Sequence, residues 1–160
     1  MADKNYALEW HKYGLEHDDD AIVKFMMHWV AFNWLYSAYF YKTYPGEKKY
    51  DREKIQAFCN ANYEKLVGFD AFDRDEIAVF MEEPVCSATS GCAGRRQRDL
   101  FSDLKDSKKD SEKKIESLLL TIYQVRCNLF HGSKSLEKKR DIDLVRASSV
   151  LLEGYLKTVI

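Results

Sequence analysis

The run Phe25–Tyr41 constrains the fold more than any other stretch of this chain, because 14 of its 17 residues are apolar or aromatic. Such a run either crosses a membrane or lies in a helix buried on most sides. It sits at the lower edge of the roughly 17–25 residues a span needs. It also carries His28, Asn33, Ser37 and the tyrosines at 36, 39 and 41, which hydrocarbon would penalise. The sequence therefore predicts a central buried helix from about Ala21 to Thr43 and no membrane segment. The Asp18-Asp19-Asp20 run offers an N-cap and negative charge at its start, and Pro45-Gly46 stops it.

A helix so apolar needs partners, and the rest of the chain supplies helical patterns. Helices are predicted over about Tyr6–Glu16, from an Asp51 cap to about Val67, over Asp73–Glu82, over Ser111–His131 with Gly132 as a C-terminal stop, and over Asp141–Ile160. Residues 84–98, PVCSATSGCAGRRQR, read as the one substantial loop, followed by a lysine-rich bridge. Seven Gly and two Pro in 160 residues are too few for a turn-rich β-sandwich, and 14% aromatic residues exclude a disordered chain. The expectation is one all-α domain over residues 1–160, a bundle of about five helices.

The amino terminus has no basic stretch followed by an apolar run, and no Asn-x-Ser/Thr sequon occurs. Cys59, Cys86, Cys92 and Cys127 lack CxxC spacing, so neither a zinc site nor a redox pair is indicated. Reduced thiols and a cytoplasmic location are expected, with no cofactor and no metal. His11 and His17 beside Asp18–Asp20 offer a loose metal-binding set, but a solvated helix start accounts for them better.

The net charge of −1 hides an asymmetry. Residues 95–140 carry 13 Lys/Arg against 7 Asp/Glu, a net +6 within a remainder of −7. A basic segment in a near-neutral chain points either to a local anionic partner or to a solvated face of mixed charge.

The helix ending at Gly132 holds the most informative residues. Leu118, Ile122, Val125 and Leu129 form one apolar stripe; Leu119, Tyr123, Arg126 and Phe130 form the next, so Arg126 interrupts an apolar row. A guanidinium there needs a carboxylate or a phosphate partner. His131 follows five residues later, about 140° around the helix. It is the side chain type whose pKa suits proton transfer near neutrality, although a His at a helix end also serves as a dipole-complementing cap.

The string Ile122-Tyr123-Gln124-Val125-Arg126-Cys127-Asn128-Leu129-Phe130-His131-Gly132 resembles the Arg-x4–6-His signature of the HEPN superfamily, which falls late in an all-helical domain. The aromatic segment Trp29–Tyr36 resembles that family's earlier core helix. The resemblance implies an up-and-down helical bundle that forms a homodimer with the Arg/His helices facing each other. It further implies a metal-independent endoribonuclease, of the kind found among toxins and defence proteins, with a nucleotidyltransferase-like antitoxin as a partner. Carried onto this sequence, Arg126 and His131 become the catalytic pair. The position after the Arg, frequently polar in the family, is Cys127 here, and Asn128 is the residue left to supply an amide to the site. Arg95, Arg96 and Arg98, with Lys134, Lys138, Lys139 and Arg140, are the expected contacts to the rest of an RNA strand. Tyr123 is read as a core or interface residue that could also stack on a base, and Asn33 and His28 as core residues. The alternatives are a non-catalytic module of the same fold that binds nucleotide, RNA or protein, and a purely structural dimerisation protein with Arg126 paired to an acidic residue.

Overall fold

Asp20 starts the central helix as its sequence predicts: its Oδ1 accepts from the backbone N–H of Ile22 (3.0 Å) and of Val23 (3.1 Å). Asp110 does the same for the helix that carries Arg126, accepting from Lys113 N–H at 2.8 Å. These caps belong to a computed structural model that describes residues 4–87, 89, 91–132 and 137–160. Over them the chain is all-α, with seven helices rather than about five: α1 (Lys4–Glu16), α2 (Ala21–Thr43), α3 (Asp51–Leu66), α4 (Ala78–Glu82), α5 (Arg95–Lys105), α6 (Ser111–Phe130) and α7 (Lys139–Val159). No described helix is long and apolar enough to cross a membrane.

Three expectations about the elements are corrected. Asp51 is the first residue of α3, and Tyr50 is its N-cap, with the Tyr50 N–H donating to Glu53 Oε2 at 3.0 Å. Asp73–Glu82 is not one helix but 3-10 turns at Ala71–Asp73 and Asp75–Ile77 leading into the single-turn α4. The expected loop ends at Gly94, where α5 begins, so Arg95, Arg96 and Arg98 occupy the first turn of a helix. Leu100 and Leu104, four residues apart on α5, are buried and supply the packing that holds it.

Helix α2 lies in the middle, with Phe25, Trp29, Phe32 and Tyr36 almost wholly buried along one side. It packs against α1 and α7, while α3 and α5 flank α6. Both flanking helices run antiparallel to α6. On one side Gln56 Nε2 donates to Glu116 Oε1 at 3.2 Å. On the other, Gln97 Nε2 donates to Gln124 Oε1 (3.2 Å), and Ser117 Oγ donates to Asp103 Oδ2 (2.9 Å). The N-terminal ends of α3 and α5 thus both reach the C-terminal half of α6.

On α7, Gly154 lets the Phe69 ring lie directly on the helix: a Cβ at this position would sit 2.2 Å from Phe69 Cζ. That ring also meets Tyr155 edge-on, with centroids 5.1 Å apart. Gly154→Ala should cost on the order of 1–3 kcal/mol through overpacking, read as a lower urea midpoint. Phe69→Leu, which shortens the clashing ring, should recover part of that loss in the double variant.

A buried histidine pair joins α1 to α2. The Nδ1 atoms of His11 and His28 lie 3.3 Å apart, one ring donating to the other, and Gly14 allows the His28 imidazole to approach the α1 backbone. Beyond it stands Glu153 of α7, which accepts Lys24 Nζ at 2.9 Å and also pairs with Lys157. His17, by contrast, uses its Nδ1 on the Tyr13 carbonyl at 2.8 Å. Among the described residues no group of three or more His, Cys, Asp or Glu is placed to hold a metal ion.

Candidate functional site

Arg126 lies about four turns into α6, where its neighbours in the helix row are apolar, and its half-buried guanidinium is flanked by aromatic faces. Its Cζ is 4.2 Å from the Phe130 ring centroid and 5.9 Å from that of Trp29. Both contacts are of cation–π type and stabilise a cation without neutralising it. Nε of Arg126 is shielded from solvent and has no hydrogen-bond partner, and no ion pair to Arg126 occurs among the described residues. The carboxylate bridge that would make this arginine purely structural is therefore missing from its described surroundings. A buried donor without an acceptor is costly to the fold, and an anionic ligand would relieve that cost.

The wall around Arg126 comes from α2, α3 and α6. Tyr36 donates its hydroxyl to Asn33 Oδ1; burial first, and then the Asp51 carboxylate beside it, push that phenol above its usual range. Burial, followed by the adjacent Cys127, pushes Tyr123 up to about 12. Both phenols stay protonated near neutrality and act as hydrogen-bond donors, which leaves them unsuited to serve as general bases there. Arg52, from the first turn of α3, is half-buried in the same surroundings, with Tyr123, Cys127 and Arg96 around it.

His131 is the C-cap of α6, its N–H bonded to the Cys127 carbonyl at 3.0 Å, and its side chain is exposed. Gly132 follows with φ +65°, the left-handed conformation that ends a helix at little cost in glycine. The expected placement of Arg126 and His131 on one helix near its C-terminal end is thus observed. Phe130, between the two in sequence, is 56% exposed.

Asn128 does not join Arg126. Two residues on, it faces another side of the helix, 2% exposed, where Gln124 Nε2 donates to its Oδ1 (2.8 Å) and its Nδ2 donates to the Cys86 carbonyl (2.8 Å). It lines a cleft of about 260 Å³ with Cys86, Ser87, Lys138, Arg140 and Asp141. The amide ties the 84–94 connection to α6. Asn128→Ala should lower stability by about 1–3 kcal/mol through the unpaired Cys86 carbonyl and Gln124 amide, measurable by urea unfolding.

The predicted basic contacts divide similarly. Arg140 is engaged within the fold: it bonds Glu82 (3.1 Å), Glu83 (2.8 Å) and the carbonyls of Val79 and Glu83 (both 2.9 Å), clamping α4 to the start of α7. Arg98 donates to the Ala93 carbonyl at 2.9 Å, Arg95 stands 3.8 Å from Asp99, and Lys139 pairs with Asp143. Arg96 and Lys138 are exposed. Lys134 lies outside the described residues. No family model matches this chain, and neither a curated protein nor a solved structure matches it.

Proposed function

We propose that this chain is a HEPN-type, metal-independent endoribonuclease that works as a homodimer. The observation that carries the reading is the Arg126 guanidinium, flanked by Trp29 and Phe130, without a carboxylate partner among the described residues, and on the same helix end as the exposed His131. In the proposed reaction a ribose 2′-oxygen bonds to the adjacent phosphorus and the bond from phosphorus to the 5′-oxygen breaks. The products are a 2′,3′-cyclic phosphate and a 5′-hydroxyl. His131 takes the proton of the attacking hydroxyl or returns one to the leaving oxygen. Arg126 holds the phosphate and stabilises its developing charge. The two side chains lie about 140° apart around one helix, so a second copy, docked on exposed Phe130, completes the cleft with its own pair. In a toxin–antitoxin pair, a nucleotidyltransferase-like antitoxin would silence this activity.

Labelled RNA incubated with wild type and with Arg126→Ala tests the reading. Cleavage by the wild type alone supports it, and equal cleavage by both removes Arg126 from the chemistry. Sedimentation at micromolar concentration should give a dimer; a monomer would argue against the shared cleft.

One observation favours a second reading, a non-catalytic RNA-binding module of the same shape. Asn128 is turned into the fold and Cys127 holds the position after the arginine, so the site gains no amide from either. Wild-type protein that binds varied RNAs and cleaves none of them would favour that reading.

A further inference from the structure

The N-terminal ends of α3 and α5 bring two more arginines to the Tyr123–Cys127 stretch of α6 that adjoins Arg126, and neither makes an ion pair among the described residues. The antiparallel packing sets this up. Gln56 meets Glu116, so Arg52, one turn earlier on α3, lies further along α6, beside Tyr123 and Cys127. Gln97 meets Gln124, so Arg96, its neighbour in the first turn of α5, lies at the same level. Neither Arg52 nor Arg96 has a hydrogen bond or ion pair among the described side chains. Arg52 is nevertheless half-buried. Burial and then the charge of Arg96 depress its pKa, against smaller opposing contributions from Tyr123 and Cys127. The first turn of α5 carries three arginines and no acidic residue, at the helix end where positive charge is disfavoured. Asp51 and Glu53 offset the positive end of α3, so the uncompensated charge is at the first turn of α5, where the repulsion between Arg96 and Arg52 is one that a phosphate would relieve.

We propose that Arg52 and Arg96 form a second phosphate subsite beside Arg126, so that an RNA strand crosses α6 at Tyr123–Cys127 with successive phosphates held by Arg126 and by the Arg52–Arg96 pair. This rests on the RNA reading above but concerns binding, which is separable from cleavage. The guanidiniums take phosphate oxygens through two parallel N–H donors.

The test is fluorescence anisotropy with a short, labelled RNA whose 2′-hydroxyls are methylated, which removes the attacking group and leaves binding intact. Arg52→Ala and Arg96→Ala should each weaken binding by about tenfold and flatten the plot of log K against log salt by about 0.7 for each phosphate no longer neutralised. Arg52→Lys, which keeps the charge and loses the fork, should fall between. Thermal melts without RNA separate this role from a structural one: relief of the Arg52–Arg96 repulsion should leave Arg52→Ala as stable as wild type or more so. Wild-type affinity and salt slope in both alanine variants would overturn the subsite, even if the unmodified RNA is cleaved. Arginine-dependent binding without cleavage of unmodified RNA would instead sustain the subsite and fail the nuclease reading. A wild type that binds no RNA overturns both.

Discussion

His131→Ala should lower the rate of RNA cleavage by on the order of 10²–10⁴-fold, the usual loss when one positioned acid–base group is removed. The fold should hardly notice. His131 is an exposed C-cap whose structural contribution is a backbone N–H bonded to the Cys127 carbonyl, and alanine keeps that bond. Helicity, urea midpoint and dimerisation should therefore match wild type. Arg126→Ala should lose activity to a similar extent but differ in stability. It removes two cation–π contacts, each worth about 0.5–1 kcal/mol when partly exposed. It also removes a buried donor that lacks a partner, which offsets that loss. A net change within about 1 kcal/mol is the expected balance, so loss of cleavage in a folded variant isolates the charge. Cys127→Asn, which places an amide at the position after Arg126, should preserve or raise activity.

The second large effect is on stability against pH. His28, wholly buried, has its pKa lowered to about 4 by burial and then by His11, against an opposing pull from Glu153. His11 is lowered as well, again chiefly by burial. A histidine whose folded pKa lies below its unfolded value takes up its proton on unfolding. Its stability contribution is full above about pH 6.5 and falls as the pH drops toward 4. The shift on His28 corresponds to roughly 3 kcal/mol over that window. Lys24 and Lys157, which face the same cluster, oppose protonation further. Glu153 acts lower: burial resists its charge, but hydrogen bonds from Lys157 and Lys24 overcome that and hold its carboxyl down at about 2. Its stabilisation is lost only as pH falls from the ordinary carboxylate range toward 2. Urea midpoints at pH 7.5 and 4.5 should differ strongly in wild type. His28→Asn should be less stable at both pH values, with a much smaller difference between them. An unchanged wild-type midpoint would mean that the imidazole pair is not a buried neutral pair.

The long elements were legible because their signals are local. The Asp20 cap, the apolar run and Pro45-Gly46 bracket α2 within the chain itself, and Ser111–Phe130 follows from two stripes and Gly132. Helix α5 was missed because its start breaks the local rules: a Gly/Ser segment precedes it and three arginines fill a first turn that prefers acids. The signal that could have found it is Leu100 and Leu104 at helical spacing, a weak one at two residues. Asp73–Glu82 carries helix formers, yet Ala71 and Phe80 must both reach the core and the chain tightens into 3-10 turns to place them.

At the candidate site, the placement of Arg126 and His131 at one helix end was readable because the two lie five residues apart on a single element. Asn128 and Arg140 were misplaced for one reason: their partners are distant in sequence. The Cys86 carbonyl is 42 residues from Asn128, and Arg140 meets Val79, Glu82 and Glu83 across about sixty residues. Nor did charge patterning single out Arg52, which becomes notable only where α3 packs against α6 beside Arg96. The histidine pair was invisible for the same cause, since His11 and His28 lie on different helices and each has an ordinary explanation alone.

The measurement that tests the central claim most directly is cleavage of a 5′-labelled RNA in excess EDTA, with wild type and His131→Ala side by side and the product ends identified. Wild type should generate fragments ending in a 2′,3′-cyclic phosphate with 5′-hydroxyl partners, and His131→Ala should leave the RNA essentially intact. Equal cleavage by the two proteins, or wild-type products bearing 5′-phosphates, would contradict the assignment of proton transfer to His131 and of 2′-hydroxyl attack to this fold.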